Sequence, residues 1–253
     1  MLYLSKACVC GIDKGIEMEI KKEKVPWRHE IKYVCSEAQI SDIKNKVSAF
    51  CDLDKHVDAD GRYYVRSVYF DDYNDSAYYE NEMGVDPRRK YRIRLYNSDT
   101  ERLTLERKSK FREQTYKESI PLSREQCRTM LSNDWMCADI GKEPLLIQQF
   151  YLEYRMKLLR PRVIVEYERI PYVYATGNVR ITFDKNISTS GDIGSFFEQG
   201  IITRPIMPEG QHVMEVKYDS LIPDFIYNAI SGERLIRTSY SKYYLCRKID
   251  GGR

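Results

Sequence analysis

The sequence predicts an α+β fold: an antiparallel β-barrel of about eight strands with a charged lumen and helices packed outside. Three observations lead there. Six β-prone runs place charged residues two apart: Glu30-Ile-Lys32, Arg92-Ile-Arg94, Glu106-Arg-Lys108, Glu166-Tyr-Glu168, Arg180-Ile-Thr182-Phe-Asp184 and Glu215-Val-Lys217. A strand points residues i and i+2 to the same side, so each pair lines one face while the other face is mostly apolar. Twenty-one Tyr and many Val and Ile favour strands. The alternation of charged and apolar residues also fits poorly with a parallel doubly wound sheet, whose strands read as continuous apolar runs. A closed sheet with the charge inside accounts for all three. Such an interior is costly unless the charges pair or meet a highly charged ligand.

Residues 1–25 read as an N-terminal leader or linker, with Lys21-Lys-Glu-Lys24 ending it and Pro26 marking the boundary of a domain over 26–253. A strand covers about 27–34. Ser36 with Gln39 forms a capping-box pattern that opens an amphipathic helix through about Phe50. The next strand runs from about Arg62 to Asp71, and Asn74-Asp-Ser76 turns into a short helical piece ending near Gly84. Runs at 89–96, 102–109 and 115–121 follow, joined by Asn97–Thr100 and Lys110–Glu113 as an antiparallel meander. Ser123 with Gln126 repeats the capping box, and helical patterning covers 123–133 and 144–158. Strands return at 162–169, 178–184 and 212–218, with a short helix at 192–199 between the last two. The chain ends in helices at 222–232 and 239–249, separated by Gly232.

Bulk composition narrows the function classes. The net charge is only +3 although 31% of the 253 residues are charged, so any anion site must come from local arrangement. No run of about 18 apolar residues predicts a transmembrane helix, and the N-terminus lacks the apolar core of a signal peptide. Seven Cys without paired metal spacing read as free thiols in a reducing cytoplasm. His29, His56 and His212 are too few for a His-based metal cluster. No G-x-G-x-x-G or Walker pattern supplies a phosphate loop.

Any one charged pair reads as a solvated strand face, and cross-strand ion pairs account for mixed signs. Taken together, the basic residues exceed what the inward acids neutralise. Arg92 and Arg94 project one way from one strand, and two parallel guanidinium groups repel unless an anion sits between them. Their forks match phosphate oxygens. Lys117, flanked by Thr115 and Ser119, and Arg169 extend the basic set. The excess favours a polyanion. The acids Glu30, Glu106, Glu166, Glu168, Asp184 and Glu215 suit a divalent cation bound jointly with phosphate oxygens.

Eight segments carry a family resemblance in order: R-H-E-I-K-Y (28–33), Y-F-D (69–71), R-I-R-L-Y (92–96), L-E-R-K (105–108), V-E-Y-E-R (165–169), V-R-I-T-F-D (179–184), M-E-V-K-Y (214–218) and S-K-Y (241–243). Over about residues 27–249 they resemble the VTC (vacuolar transporter chaperone) domain. This is the polyphosphate polymerase branch of the CYTH-like triphosphate tunnel metalloenzyme superfamily. The resemblance implies an eight-stranded antiparallel tunnel. It also implies Mn²⁺- or Mg²⁺-dependent transfer of the γ-phosphoryl group of ATP to a growing polyphosphate chain. By position, Arg92 and Arg94 match the arginines that hold the triphosphate, and Lys32, Lys108 and Lys117 match basic residues on neighbouring strands. Arg169 and Arg180 match two further phosphate-binding arginines, and Glu215, with Lys217 beside it, matches the metal-binding glutamate. Ser241 and Lys242 match a helix-borne pair near the tunnel wall, and Glu30 is the second candidate metal ligand.

The chain departs from the family in three ways. Hydrolytic relatives begin with two glutamates two apart, whereas Arg28 holds the first position here, which weakens a second metal site. Asn97 stands where a glycine often follows the arginine strand. The regulatory domain and transmembrane helices of the eukaryotic polymerases are not seen, so a separate membrane partner is an expectation. The ranked alternatives are a metal-dependent inorganic or nucleoside triphosphatase and then a non-catalytic polyphosphate- or nucleotide-binding module. An RNA-end phosphatase comes last, and no nucleic-acid partner is expected: the net charge is modest and no aromatic stacking platform is evident.

Overall fold

Alternating apolar residues on eight strands require a cover on one side, and the closed sheet supplies it with two helical layers. The computed structural model describes residues 27–133, 135–136, 139–231 and 235–250; the expected leader and Gly232 lie outside them. The barrel strands are β1 (Arg28–Ser36), β2 (Tyr63–Asp71), β3 (Arg88–Tyr96), β4 (Leu103–Phe111), β5 (Gln114–Leu122), β6 (Arg160–Tyr174), β7 (Val179–Ser190) and β8 (Gln211–Tyr218). All neighbours are antiparallel, in the order β6-β2-β3-β4-β5-β1-β8-β7, and β7 pairs back onto β6 to close the ring. The β5–β1 seam is the shortest, with only Arg28 opposite Thr115 and His29 opposite Gln114. Two-residue strands at Asp52–Leu53, Arg204–Pro205 and Ile236–Arg237 extend the rim.

The helices are α1 (Glu37–Val47), α2 (Ser76–Glu82), α3 (Arg124–Leu131), α4 (Leu145–Lys157), α5 (Asp224–Ser231) and α6 (Lys242–Ile249). Both expected capping boxes form, Ser36 with Gln39 and Ser123 with Gln126, and each satisfies two otherwise orphaned backbone donors. The expected helix at 192–199 is a 3-10 segment, Ile193–Phe197. None of the helices among the described residues is long and apolar enough to cross a membrane.

Three clusters make the core. Outside β2–β5, Val68, Phe70, Ile93, Leu95, Leu103 and Leu105 meet Cys127 and Met130 of α3 and Ile147 and Phe150 of α4. Outside β7 and β8, Ile181, Phe183, Met214 and Val216 meet Ile40, Ile43 and Val47 of α1 and Ile226 and Ile230 of α5. The third cluster lies within the wall. Val65, Val163, Val165, Ile187 and Val213 share their strand face with the charged residues, and Tyr243 and Cys246 of α6 pack against them. The inward face therefore mixes charged and apolar positions, and α6 packs against the apolar ones.

The sequence and the structure differ where strand length decides. β6 and β7 run well past the expected ends, and β7 does so through an irregularity at Asn186, whose φ is 52°. The β4–β5 link is only Arg112-Glu113, because Phe111 already pairs with Gln114, so Lys110 belongs to a strand. Asn97 occupies the left-handed region at φ 49°, which Asn tolerates, and its Oδ1 accepts from the Tyr64 amide at 2.7 Å. Cys35, Cys51, Cys127 and Cys246 are buried free thiols.

Phe150 is fully buried, with edge contacts to Phe70 and Tyr91. Phe150→Ala is expected to destabilise the protein by about 3–5 kcal/mol, measured by urea unfolding, because the cavity sits where α4 meets the barrel wall.

Candidate functional site

Strand parity carries the charged pairs into the lumen. A cavity of about 320 Å³ opens there, and twelve basic residues against three acidic ones line it. Eleven of the twelve expected site residues are among its lining: Glu30, Lys32, Arg92, Arg94, Lys108, Lys117, Arg169, Glu215, Lys217, Ser241 and Lys242. Arg180 does not. It binds Asp54 at 2.7 Å and the Tyr63 hydroxyl at 2.9 Å.

The expectation for Glu166 and Glu168 needs correcting. Both point outward, away from the lumen, Glu166 to Arg66 at 2.6 Å and Glu168 to Arg62 at 2.8 Å. Alternation explains this: Val165, Tyr167 and Arg169 hold the inward positions of the same strand, so the even-numbered acids cannot. Four inward carboxylates remain from the expected set: Glu30, Glu106, Asp184 and Glu215.

Each of the four is held by several cations. Arg92 donates to Glu106 at 2.6–2.7 Å, Lys117 reaches its other oxygen at 3.2 Å and Arg94 stands 3.7 Å away. Tyr69 and Tyr167 fix the two arginines further, accepting from Arg92 at 2.8 Å and from Arg94 at 3.3 Å. Burial opposes ionisation of Glu106, yet Arg92, Arg94 and Lys117 hold its carboxyl well below the usual range. Asp184, fully buried, accepts both arms of Arg169 at 2.6 and 2.8 Å and Lys242 at 2.6 Å. It too is held below its ordinary value: burial works against this, but Arg169 and Lys242 outweigh it.

Glu30 and Glu215 form the third knot. β1 and β8 pair Glu30 with Lys217 and Lys32 with Glu215, so two like pairs alternate across the seam. Lys32 lies 3.0 Å from Glu30 and 3.8 Å from Glu215; Lys217 lies 2.5 Å from Glu215 and 3.8 Å from Glu30. Lys108 reaches Glu30 at 2.6 Å from β4. Burial and the mutual repulsion of the two acids raise the Glu30 pKa, but the three lysines bring it far below normal. Glu215 is lowered likewise, its burial outweighed first by Lys217 and then by Lys32. The two ionised carboxylates are hard oxygen donors of the kind that hold Mg²⁺ or Mn²⁺ together with phosphate oxygens. Among the described residues no group of three or more His, Cys, Asp or Glu could hold a metal alone. Glu30 and Glu215 are thus two donors whose chemistry suits such a cation.

Sequence reading missed part of the lining. Arg88 and Lys90 share the inward face of β3 with Arg92 and Arg94, and Lys110 shares that of β4 with Lys108. Lys90 lies inside the expected strand at 89–96, two residues before Arg92, and was passed over; Arg88 and Lys110 lie just outside the expected strand bounds. Tyr69 and Tyr167 look like ordinary core aromatics in sequence, and their hydroxyl contacts required the tertiary structure. Arg28 also lines the cavity and pairs with Asp219 at 2.9 Å.

The VTC domain model matches residues 27–249, and the chain belongs to that family within the triphosphate tunnel superfamily. No curated protein matches it in sequence. HpAC1 from Hippeastrum, a candidate adenylyl cyclase described with a dominant triphosphatase activity, shares the fold at a TM-score of 0.50 and 13% identity, covering 88% of this chain and 95% of its own. The PH1819 protein from Pyrococcus horikoshii OT3 aligns at a TM-score of 0.43 and 15% identity over 88% of this chain and 98% of its own. A candidate adenylate cyclase from Bacillus halodurans aligns at 0.47 and 12% identity over 82% and 87%.

Asp184→Ala leaves Arg169 and Lys242 buried without their carboxylate, and a loss of about 3–5 kcal/mol is expected in urea unfolding at neutral pH. Because the Asp184 pKa is lowered in the folded state, its contribution is present above the ordinary carboxylate pKa of about 4 and disappears as pH falls below it. The gap between wild type and variant should narrow accordingly in acid.

Proposed function

We propose that this VTC-family chain binds the triphosphate of ATP in its lumen and transfers the γ-phosphoryl group to the end of a polyphosphate chain. The observation that carries this reading is the excess of inward cations over inward carboxylates around the cavity. Phosphoryl transfer needs alignment and neutralisation of spread negative charge more than covalent help. Arg92 and Arg94, held by Glu106, Tyr69 and Tyr167, would donate their remaining N–H groups to phosphate oxygens. Lys32, Lys108, Lys117, Lys217, Arg169 and Lys242 supply charge from neighbouring strands and α6, with Ser241 capping that helix beside them. Arg180, held by Asp54, is assigned to the outer end of the same row of inward residues as Lys217.

In the proposed step an acceptor phosphate oxygen bonds the γ-phosphorus as the bond to the β–γ bridging oxygen breaks. ADP leaves with that electron pair, and the chain grows by one phosphate. The nucleophile is already ionised and requires no general base. That agrees with the four inward carboxylates, all engaged by cations and none free to deprotonate water. Glu30 and Glu215 would hold Mn²⁺ or Mg²⁺, which supplies further neutralisation of the phosphate oxygens when bound.

Hydrolysis of a triphosphate is the second reading, favoured by the dominant triphosphatase activity described for HpAC1, which has the same fold. Purified protein with ATP and Mn²⁺ separates the two. Polyphosphate on a stained gel together with ADP supports the polymerase, whereas release of free phosphate without chains supports the hydrolase. Arg92→Ala is expected to reduce either turnover at least about a hundredfold, two charge-assisted contacts being lost. A folded variant with unchanged turnover would remove the lumen from the reaction. Glu215→Gln is expected to raise the Mn²⁺ concentration for half-maximal activity more than it weakens nucleotide binding, as measured by metal titration and equilibrium binding. Equal losses would place the metal elsewhere.

A further inference from the structure

Lys90 differs from the lysines around it in what holds its nitrogen. Lys32, Lys108, Lys117, Lys217 and Lys242 each meet a carboxylate oxygen within 3.2 Å. Lys90, on the inward face of β3, meets none among the described residues. It donates to two neutral oxygens, Asn81 Oδ1 of α2 at 3.0 Å and Ser241 Oγ at the start of α6 at 3.2 Å. Its nitrogen lies 5.1 Å from the Tyr243 ring centre. A free amine has two N–H groups and one lone pair, whereas an ammonium has three N–H groups. The two oxygens satisfy both donors of the amine, and the third N–H of an ammonium finds no acceptor among the described residues. The side chain lines the cavity, where a small molecule can reach it.

The charges that act on Lys90 come from four strands and α2. Arg88 precedes it on β3, Lys108 lies directly opposite on β4, and Lys32 faces it from β1. Two acids act on it without touching it, Asp71 at the end of β2 and Glu80 of α2. Asp71 is already engaged by the amides of Asp72, Ala77 and Tyr78 and by the Tyr243 hydroxyl. Burial, and then Arg88, Lys32 and Lys108, outweigh Asp71 and push Lys90 down to about 7. Near neutral pH it is a free amine much of the time, and a desolvated lysine beside other cations is an activated nucleophile. Lys108 is brought down alike, to about 7. It holds both oxygens of Glu30, however, at 2.6 and 2.7 Å, and must release them before its lone pair can attack. Lys110 also lines the cavity without a carboxylate, but no hydrogen bond among the described residues fixes it.

We propose that Lys90 is a covalent modification site, its amine taking the acyl group of an acyl phosphate that enters the cavity. This goes beyond phosphoryl transfer and stands whether or not the lumen performs it. In the step the Lys90 nitrogen bonds the acyl carbonyl carbon, and the bond from that carbon to the phosphate oxygen breaks. Phosphate leaves with that electron pair and takes the proton that the nitrogen loses. An acyl phosphate suits the place because it is both an electrophile and an anion, and twelve basic residues against three acidic ones line the cavity. The product is a neutral amide with a single N–H. It removes one positive charge from the cavity and at least one of the two hydrogen bonds by which Lys90 ties α2 to α6.

The test incubates the purified protein with acetyl phosphate near neutral pH and follows each lysine by peptide mass spectrometry. Lys90 is expected to acetylate at least about tenfold faster than the exposed Lys55, and faster than Lys108. Its rate is expected to level off above a pH of about 8, once the amine is fully deprotonated. Asn81→Asp gives Lys90 the carboxylate it lacks in nearly the same shape. That variant is expected to slow Lys90 at least about tenfold while Lys55 reacts as before. Asn81→Ala removes the oxygen without adding charge and is expected to change the rate at Lys90 less than about threefold. Circular dichroism checks that both variants fold. A Lys90 no faster than Lys55, a Lys108 faster than Lys90, or a rate that Asn81→Asp leaves unmoved would each overturn the assignment. None of these results bears on whether ATP yields polyphosphate, so the two readings fail separately.

Discussion

Closing a sheet around a dozen cations is the constraint on which the rest of this molecule turns. Buried charge is tolerable only when it is paired or solvated. The barrel meets that condition with very few acids, each serving several cations. Glu106 is shared by Arg92, Arg94 and Lys117, Asp184 by Arg169 and Lys242, and Glu30 with Glu215 by Lys32, Lys108 and Lys217. Antiparallel register makes the sharing possible, because it sets acids and bases of different strands side by side on one face.

The same economy leaves the interior electrostatically incomplete. An interior whose charges all cancelled would have little reason to bind a polyanion. Here the network immobilises guanidinium and ammonium groups without exhausting their donors, and twelve basic residues against three acidic ones line the cavity. That is preorganisation in the usual physical sense: the charge is positioned before the ligand arrives, and the folded structure carries the cost of positioning it. The stability to carry that cost comes from outside the lumen. The clusters under α3 and α4 and under α1 and α5 bury the outer faces of six strands. α6 packs on the apolar inward residues and brings Lys242 and Ser241 to the cavity.

Function follows from where the chain's dipoles and charges point more than from any single reactive group. Glu30, Glu106, Asp184 and Glu215 are all held by cations, and the buried thiols are pushed up out of the reactive range, Cys127 and Cys246 to about 12. In the proposed transfer the nucleophile is already ionised, so such a site needs no base; the proposed transfer and the hydrolysis differ in whether a phosphate oxygen or a water molecule attacks the γ-phosphorus.

Much of this was legible in the amino-acid order alone. Two-residue spacing placed Glu30, Lys32, Arg92, Arg94, Glu106, Lys108, Glu215 and Lys217 on shared faces, and Ser36 and Ser123 announced their helices. Those features depend on periodicity and local capping, which the chain carries at short range. Which face turns inward is not a short-range property. Glu166 and Glu168 show the same spacing as the inward pairs yet point outward, because β6 is locked in register with β2 and β7 and cannot turn both parities inward. Arg88 and Lys110 escaped notice because strand ends are set by pairing with a neighbour, and the β3–β4 pairing extends beyond the apolar run that marks each strand. The hydroxyl contacts of Tyr69 and Tyr167 and the placement of α6 inside the wall join residues far apart in sequence. Only closure of the barrel brings them together.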